Sequence, residues 1–212
     1  EPQGFSWLYP WFGGIHSLLS PAGSHVWEGY LHKEQVSAQA IEVRDASGIA
    51  WTGVRLSVRP KKKELADVRV EVDYLTLGGA KALKYVYRLH NLRDTEQVFK
   101  TGSNVTCRLG AEPEELVLRG GGVTHRPSPW GTSVEGNRWG ALTNEGTGRT
   151  LLMVSDSSDV LLHDAGIAGR VLGANRQVRL ASGETCACSY HLVLAESLKE
   201  ALDYLVLKDD KG

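Results

Sequence analysis

Residues 68–91 read VRVEVDYLTLGGAKALKYVYRLHN, and this stretch decides the fold. Apolar side chains occupy every second position in both of its halves: Val68, Val70, Val72 and Tyr74, then Leu83, Tyr85, Tyr87 and Leu89. A period of two is the pattern of a β-strand that buries one of its faces. Gly78 and Gly79 separate the two halves and mark a turn. The stretch therefore predicts two neighbouring antiparallel strands, 67–77 and 81–91.

The same alternation continues on both sides of this hairpin. Short turns rich in Asp, Ser, Pro and Gly separate the alternating segments, as in an antiparallel meander. The further predicted strands are 36–45, 49–59, 96–109, 114–119, 133–143, 149–155, 159–163, 176–181 and 184–194. So many strands are typical of two large packed sheets. The sequence therefore predicts an all-β fold, a large antiparallel β-sandwich of the supersandwich kind.

One helix is predicted at the C-terminal end, over 197–206. Ser197 and Glu200 form a capping box, in which the serine caps the first turn and the glutamate reaches back to the helix start. Leu198, Ala201, Leu202 and Leu205 fall on one face at helical spacing. Residues 1–30 are rich in aromatics and glycine without periodicity, which predicts a loop-rich opening with one or two short strands. No repeat or linker divides the chain, so residues 1–212 are expected to form a single domain.

Composition limits the classes of partner. The 212 residues include 24 Lys and Arg and 25 Asp and Glu, a net charge of −1. Nucleic-acid-binding domains usually carry a basic balance or a basic stripe. The apolar runs are far shorter than the roughly 20 residues that a bilayer span needs. We therefore expect neither a nucleic acid nor a membrane as partner.

The first residues are Glu1-Pro2, without an initiating methionine or a recognisable signal peptide. We therefore expect either a processed chain or a domain cut from a longer polypeptide. The three cysteines are an odd number and give no disulfide framework. Together these features slightly favour the cytoplasm and leave the compartment otherwise open.

Cys186 and Cys188 stand two residues apart in a predicted strand, so their thiols share one face. With His191 nearby they would offer a partial metal site, but no second pair of ligands at zinc spacing is present. We expect buried and inert thiols, with no bound metal and no cofactor.

The end of the hairpin carries a family resemblance. The phrase YVYRLHNLRD at 85–94 is a strand followed by an Asn-x-x-Asp turn, and LASGET at 180–185 is a turn that precedes a closing strand. With the aromatic opening, this order of elements resembles the galactose mutarotase-like β-supersandwich over roughly residues 10–195. The resemblance implies that fold, which occurs in aldose epimerases, in many glycoside hydrolases and polysaccharide lyases, and in non-catalytic modules.

The sequence departs from the epimerases within this resemblance. Those enzymes carry a histidine in an aromatic strand soon after the Asn turn, whereas no histidine lies between Asn91 and Gly110. His25-Val26-Trp27 is similar to an earlier family histidine followed by tryptophan, and Glu184 is the candidate for a closing glutamate. A matched acid–base pair for mutarotation is therefore missing.

Aromatic and polar residues near the N-terminus form the candidate ligand site. Small-ligand sites combine aromatic surfaces with a few placed polar groups, which suits the C–H faces and hydroxyls of sugars. The candidate ligand-binding residues are Trp11, Phe12, His16, Trp27, Glu28, His32 and Trp130. We expect Trp11, Phe12, His16 and Trp27 to cluster at an open end or concave face of the sandwich. A solvated polar face or a hydrophobic plug is the alternative. If the chain is an enzyme, His16, His25 and Glu28 are the catalytic candidates.

Charged residues also alternate along the central hairpin. Glu71 and Asp73 lie on one predicted strand, and Arg88 and His90 on its neighbour. Arg88 is expected to pair with Asp73 or Glu71, which is worth about 0.2–1 kcal/mol at an exposed site. On a concave sheet the same residues would form the floor of a ligand site, and the sequence leaves this choice open.

These observations favour a carbohydrate-binding or accessory module of a larger carbohydrate-active protein, not catalytic on its own. Its expected partner is a carbohydrate or a catalytic domain of the same polypeptide. An aldose epimerase-like or glycosidase-like enzyme is one alternative. A purely structural domain that packs on a catalytic partner is the other.

Overall fold

The computed structural model of the chain describes residues 13–19, 25–27, 34–61, 63–65, 67–106, 109, 116–120, 123–125, 133–134, 139–155, 162–163 and 171–209. Within these ranges most residues lie in strands. The strands are β1 (Gly13–Leu19), β2 (His25–Trp27), β3 (Val36–Arg44), β4 (Ala50–Val58), β5 (Val68–Thr76), β6 (Ala82–Asn91), β7 (Gln97–Thr106), β8 (Leu116–Gly120), β9 (Val123–His125), β10 (Ser133–Val134), β11 (Trp139–Asn144), β12 (Thr150–Ser155), β13 (Leu162–His163), β14 (Val171–Leu180) and β15 (Thr185–Ala195). A 3₁₀ turn (Lys63–Leu65) and helix α1 (Leu198–Asp209) complete the elements.

The described strands form two main sheets. A nine-stranded sheet has the order β3-β4-β5-β6-β15-β12-β11-β8-β9, and a four-stranded sheet has the order β14-β7-β1-β2. Strands β10 and β13 form a separate pair. Each pairing is antiparallel. The predicted all-β antiparallel fold with a C-terminal helix is therefore confirmed.

Most predicted strands agree with the structure to within three residues at each end, but two differ more, and one observed strand was not predicted. The predicted strand 133–143 is two strands, β10 and β11, which belong to different sheets. The predicted strand 176–181 begins earlier, at Val171, because pairing with β7 extends over all ten residues of β14. Strand β9 was not predicted, since its three residues are too few to show a period.

The N-terminal opening contains the two short strands that were expected. Gly13 and Gly14 begin β1. The pairing of β1 with β7 shifts register between Gly13 and His16, so the glycines lie at an irregularity.

The alternation along β5 and β6 separates the two faces of the nine-stranded sheet. On one face, here called the core face, the apolar residues of both strands pack against the four-stranded sheet. This cluster includes Val70, Val72, Tyr87 and Leu89 together with Phe99 of β7 and Val178 and Leu180 of β14. Each large apolar side chain that is fully buried contributes about 1.5–3 kcal/mol. The contact between the two sheets therefore forms the main core.

The opposite face of the nine-stranded sheet, here called the outer face, is covered at one end by α1. Ala201 is buried against Leu152, Val154 and Val193 of the sheet. Ser197 Oγ accepts a hydrogen bond from Glu200 N at 3.1 Å, as the capping box predicts. The helix runs three residues further than expected. Among the described residues, no helix is long and apolar enough to span a membrane.

The side chain of Asn91 joins the two main sheets. It is fully buried at the end of β6, in the Asn-x-x-Asp turn. Its Nδ2 donates to the carbonyl oxygens of Thr95, Leu180 and Ala181 at 2.8, 3.2 and 2.9 Å, and its Oδ1 accepts from Arg93 N at 3.1 Å. Because Leu180 ends β14, these bonds tie the end of β6, an interior strand of the nine-stranded sheet, to the four-stranded sheet.

Asn91→Ala is expected to lower the free energy of unfolding by about 3 kcal/mol, because buried carbonyl groups lose their donor. Urea denaturation measures the change. The exposed Gln39→Ala on β3 is the control and should stay within about 0.5 kcal/mol of wild type. An Asn91 variant as stable as the control would contradict this role.

Gly53 marks a close approach between β4 and β5. A Cβ at this position would lie 1.8 Å from the carbonyl oxygen of Tyr74. The neighbouring backbone is held by the ladder that pairs Gly53 with Leu75, so it cannot yield without breaking hydrogen bonds.

Gly53→Ala is therefore expected to destabilise the fold by at least about 2 kcal/mol, as overpacking does. Gly78→Ala is the matched control, because a Cβ there meets no atom within 4 Å. Thermal and urea unfolding measure the stability of the two variants. If they are equally stable, β4 and β5 can move apart at little cost in free energy.

Candidate functional site

Five charged residues and one histidine form a patch on the outer face, here called the outer patch. They are Arg55 on β4, Arg69, Glu71 and Asp73 on β5, and Arg88 and His90 on β6. The register brings them together, because Asp73 pairs with Arg55, Glu71 with Arg88, and Arg69 with His90. Alternate residues of a strand point to one side of the sheet, so all six share the face opposite the core.

Asp73 lies at the centre of the outer patch. Its side chain has no solvent exposure, and two arginines hold it. Arg55 Nε and Nη2 donate to the two carboxylate oxygens at 2.6 and 2.9 Å, and Arg88 Nη1 donates to Oδ2 at 2.6 Å. The predicted pairing of Arg88 is thus confirmed with Asp73. Arg55 was not predicted as a partner of Asp73, although the meander order of β4 and β5 was a signal for it.

These contacts shift the pKa values of Asp73 and Arg55. Burial by itself would raise the pKa of Asp73, but the hydrogen bonds from Arg55 and Arg88 outweigh it and lower the pKa. The hydrogen bond to Asp73 raises the pKa of Arg55. The patch therefore keeps a charged carboxylate fixed between two guanidinium groups.

A second group of contacts surrounds Glu71. Its carboxylate lies 3.4 Å from Arg69 Nε and 3.1 Å from His90 Nε2. His90 Nδ1 lies 2.8 Å from the hydroxyl of Thr185 and 3.4 Å from Arg69 Nη2. The Thr185 hydroxyl donates to Nδ1 when His90 carries its proton on Nε2, whereas Nε2, although 3.1 Å from the Glu71 carboxylate, makes no hydrogen bond within the described residues. One nitrogen of the imidazole is thus hydrogen-bonded by the protein, and the other lies beside a carboxylate.

The far end of the outer face holds Trp51, which is buried. Its indole N–H donates to Asp45 Oδ2 at 3.0 Å, and Lys84 Nζ lies 5.7 Å from its ring centroid. Burial opposes ionisation of Asp45, but hydrogen bonds from Ser47, Trp51 and the backbone of Ile49 lower its pKa to about 2. These contacts fix the β3–β4 hairpin.

His191 lies on the outer face, whereas Cys186 and Cys188 point to the core face. Its Nδ1 is 2.5 Å from the Tyr204 hydroxyl of α1, and its ring meets Trp51 edge-on. Cys188 is buried and Cys186 half-buried. The partial metal site considered from the sequence therefore does not assemble. In the part of the chain that is described, no cluster of three or more His, Cys, Asp or Glu has a metal-binding arrangement.

The structure places three of the sequence-predicted site residues by their backbone. His16 lies on β1 opposite Ser103 of β7, and β2 pairs with β1 so that Trp27 is opposite Leu18 and His25 opposite Leu19. These three residues thus lie on adjacent strands at one edge of the four-stranded sheet. Trp11, Phe12, Glu28, His32 and Trp130 fall outside the described residues, and the aromatic cluster stays a prediction.

Comparisons with known proteins identify the class of fold. No family model and no curated protein matches the chain. A solved structure from Klebsiella pneumoniae, provisionally classed as an aldose 1-epimerase, is 12% identical and matches 93% of this chain and 67% of its own length with a TM-score of 0.62. The GH36 α-galactosidase AgaA of Geobacillus stearothermophilus is 11% identical with a TM-score of 0.54.

The match to AgaA covers 86% of this chain but 30% of that enzyme. The galactosidase domain of the α-galactosidase–sucrose kinase AgaSK matches with the same coverage at a TM-score of 0.56. The chain therefore has the galactose mutarotase-like β-supersandwich fold. In the α-galactosidases that it matches, the similar part is less than a third of the chain.

Asp73→Asn is expected to destabilise the protein by about 3 kcal/mol at neutral pH, because it leaves two half-buried arginines without their carboxylate. Asp203→Asn is the control, since Asp203 pairs with Lys199 on an exposed face of α1. Because the folded pKa of Asp73 is lowered, its contribution is present above about pH 4 and is lost as the pH falls through the folded pKa.

The gap in unfolding free energy between wild type and Asp73→Asn should therefore narrow as the pH falls below about 4, the ordinary pKa of an aspartate. Denaturant unfolding at several pH values measures this gap. A difference in unfolding free energy that is small at neutral pH, or that widens on acidification, would contradict the stabilising role of the ion pairs between Asp73 and the two arginines.

Proposed function

We propose that the chain is a carbohydrate-binding accessory module of a larger carbohydrate-active protein. The observation that carries this proposal is the likeness of nearly the whole chain to proteins of two carbohydrate classes, an epimerase-class structure and GH36 α-galactosidases. Fold likeness is an associational argument about function, so the site residues supply the second support.

The edge of the four-stranded sheet is the proposed saccharide site. Adjacent strands there carry His16, His25 and Trp27, two imidazoles and one indole. An aromatic ring with polar neighbours suits the C–H face and the hydroxyls of a sugar. Trp11 and Phe12 immediately precede β1 in sequence and would extend the aromatic surface.

An aldose epimerase is the second candidate. The pairing of β1 with β2 favours it, because it brings two histidines to neighbouring strands. Acid–base catalysis at a sugar ring needs two such groups within reach of the substrate. Against it stands the strand β7, where the sequence offers no histidine between Asn91 and Gly110.

Trp27→Ala is expected to weaken binding of neutral saccharides at least about tenfold, as the loss of an aromatic platform does. Isothermal titration against galactose- and glucose-containing oligosaccharides measures this, with Gln39→Ala on the nine-stranded sheet as control. If the Trp27 variant binds saccharides with the affinity of the wild type, the proposed site at this edge is contradicted. If no saccharide binds at all, the chain is better described as a structural domain.

The chain is also expected to leave the interconversion of sugar anomers at its spontaneous rate. Polarimetry with freshly dissolved α-glucose and α-galactose tests this, with protein-free solution as the baseline. Acceleration that His25→Ala abolishes would replace the accessory module with the epimerase.

A further inference from the structure

A groove lies at one corner of the nine-stranded sheet, beside the outer patch. Its volume is about 350 Å³, and it is bounded by Gln35, Ser37, Ser57, Arg59 and Arg69 together with Val36 and Val58. This volume is within the range of sites that hold small molecules. We refer to it as the corner groove.

The strand register explains how these side chains meet. Ser37 pairs with Ser57, and Val36 pairs with Val58, so Gln35 and Arg59 lie just beyond the last pair of β3 and β4. Val58 pairs in turn with Val70, which places Arg69 beside Arg59. Three neighbouring strands thus direct polar residues to one corner.

The charge of the corner groove is one-sided. Two guanidinium groups line it, and the described residues that bound it include no carboxylate. Two neighbouring acids have partners of their own, and one partner of Glu71 is Arg69 of the groove itself. Glu71 contacts Arg69 and His90, and Glu34 Oε2 accepts from Lys61 N at 3.0 Å.

The two arginines of the corner groove differ in how firmly their side chains are held by neighbouring residues. Arg69 is fixed from behind by Glu71 and His90 and is partly exposed toward the groove. Arg59 is exposed and makes no ion pair or hydrogen bond with any residue in the described ranges. One guanidinium is therefore preorganised, and the other is available for a ligand.

We propose that the corner groove binds a uronate, a pyranose that carries a carboxylate. Arginine matches a carboxylate with two parallel N–H donors. The hydroxyls of Ser37 and Ser57 and the amide of Gln35 offer donors and acceptors for sugar hydroxyls. This inference rests on the proposed carbohydrate function and gives it a ligand class.

Two glycosides that differ only in the carboxylate test the proposal. The intact ¹⁵N-labelled chain is titrated with methyl β-D-glucuronide and with methyl β-D-glucoside, and the backbone amides of Ser37, Ser57 and Arg59 are followed by NMR. The glucuronide should shift these amides in a saturable way, and the glucoside should bind at least about tenfold more weakly. Equal shifts, or no shift with either ligand at concentrations on the order of 50 mM, overturn the proposal.

Variants separate the corner groove from general electrostatics. Arg59→Ala should weaken glucuronide binding at least about tenfold, and Arg59→Lys should lie between it and wild type. Arg44→Ala is the matched control, because Arg44 is an exposed arginine at the opposite end of β3, paired with Glu42. If Arg44→Ala weakens glucuronide binding as much as Arg59→Ala does, the net charge of the protein alone explains the binding. That result would contradict the proposed site.

A further titration distinguishes a sugar from an acidic peptide. N-acetyl-glutamate amide presents a carboxylate without a pyranose, and it should bind at least about tenfold more weakly than the glucuronide. Equal affinity overturns the assignment to a uronate. The proposed site for neutral saccharides lies on the other sheet, so the two proposals can fail separately. If the chain binds neutral saccharides through Trp27 but does not bind the glucuronide, only the inference about the corner groove is contradicted.

Discussion

The structure depends on one constraint, the alternation of core-facing and outward-facing side chains along each strand. Continuous antiparallel pairing keeps this alternation in register across six neighbouring strands, in the order β3-β4-β5-β6-β15-β12. It directs Val70, Val72 and Leu89 to the core and Asp73, Arg55 and Arg88 to the outer face. A slip of one residue would exchange the faces and bury three unpaired charges, each at a cost of several kcal/mol. The charged residues thus exclude alternative registers as firmly as the apolar residues favour the native one.

The same constraint explains what the outer face offers. Helix α1 covers one end of it through Ala201 and Tyr204, and the outer patch and corner groove lie toward the other end. The patch holds its carboxylates and its imidazole in mutual contacts, which fixes Arg69 at the wall of the groove. Rigid strands position recognition groups more accurately than loops do. The sheet therefore combines a rigid framework with one corner that remains open to a ligand.

Sequence reasoning predicted the strands better than their partners. The predicted 81–91 and 67–77 differ from β6 and β5 by one residue at one or both ends, because alternation is a local signal. The pairing of β7 with both β1 and β14 joins distant parts of the sequence and leaves no local trace. For the same reason the corner groove was missed, since Gln35, Arg59 and Arg69 come from three strands. The aromatic opening has no period, so the arrangement of its side chains could not be derived.

The central claim is that this β-supersandwich recognises saccharides and does not convert them. The most direct measurement is a glycan array probed with the labelled, folded chain, with neutral and uronate-containing oligosaccharides side by side. The account predicts retention on both classes, with the glycans recovered chemically unchanged. An array without any retained glycan, for a protein that unfolds cooperatively in the same buffer, would contradict it.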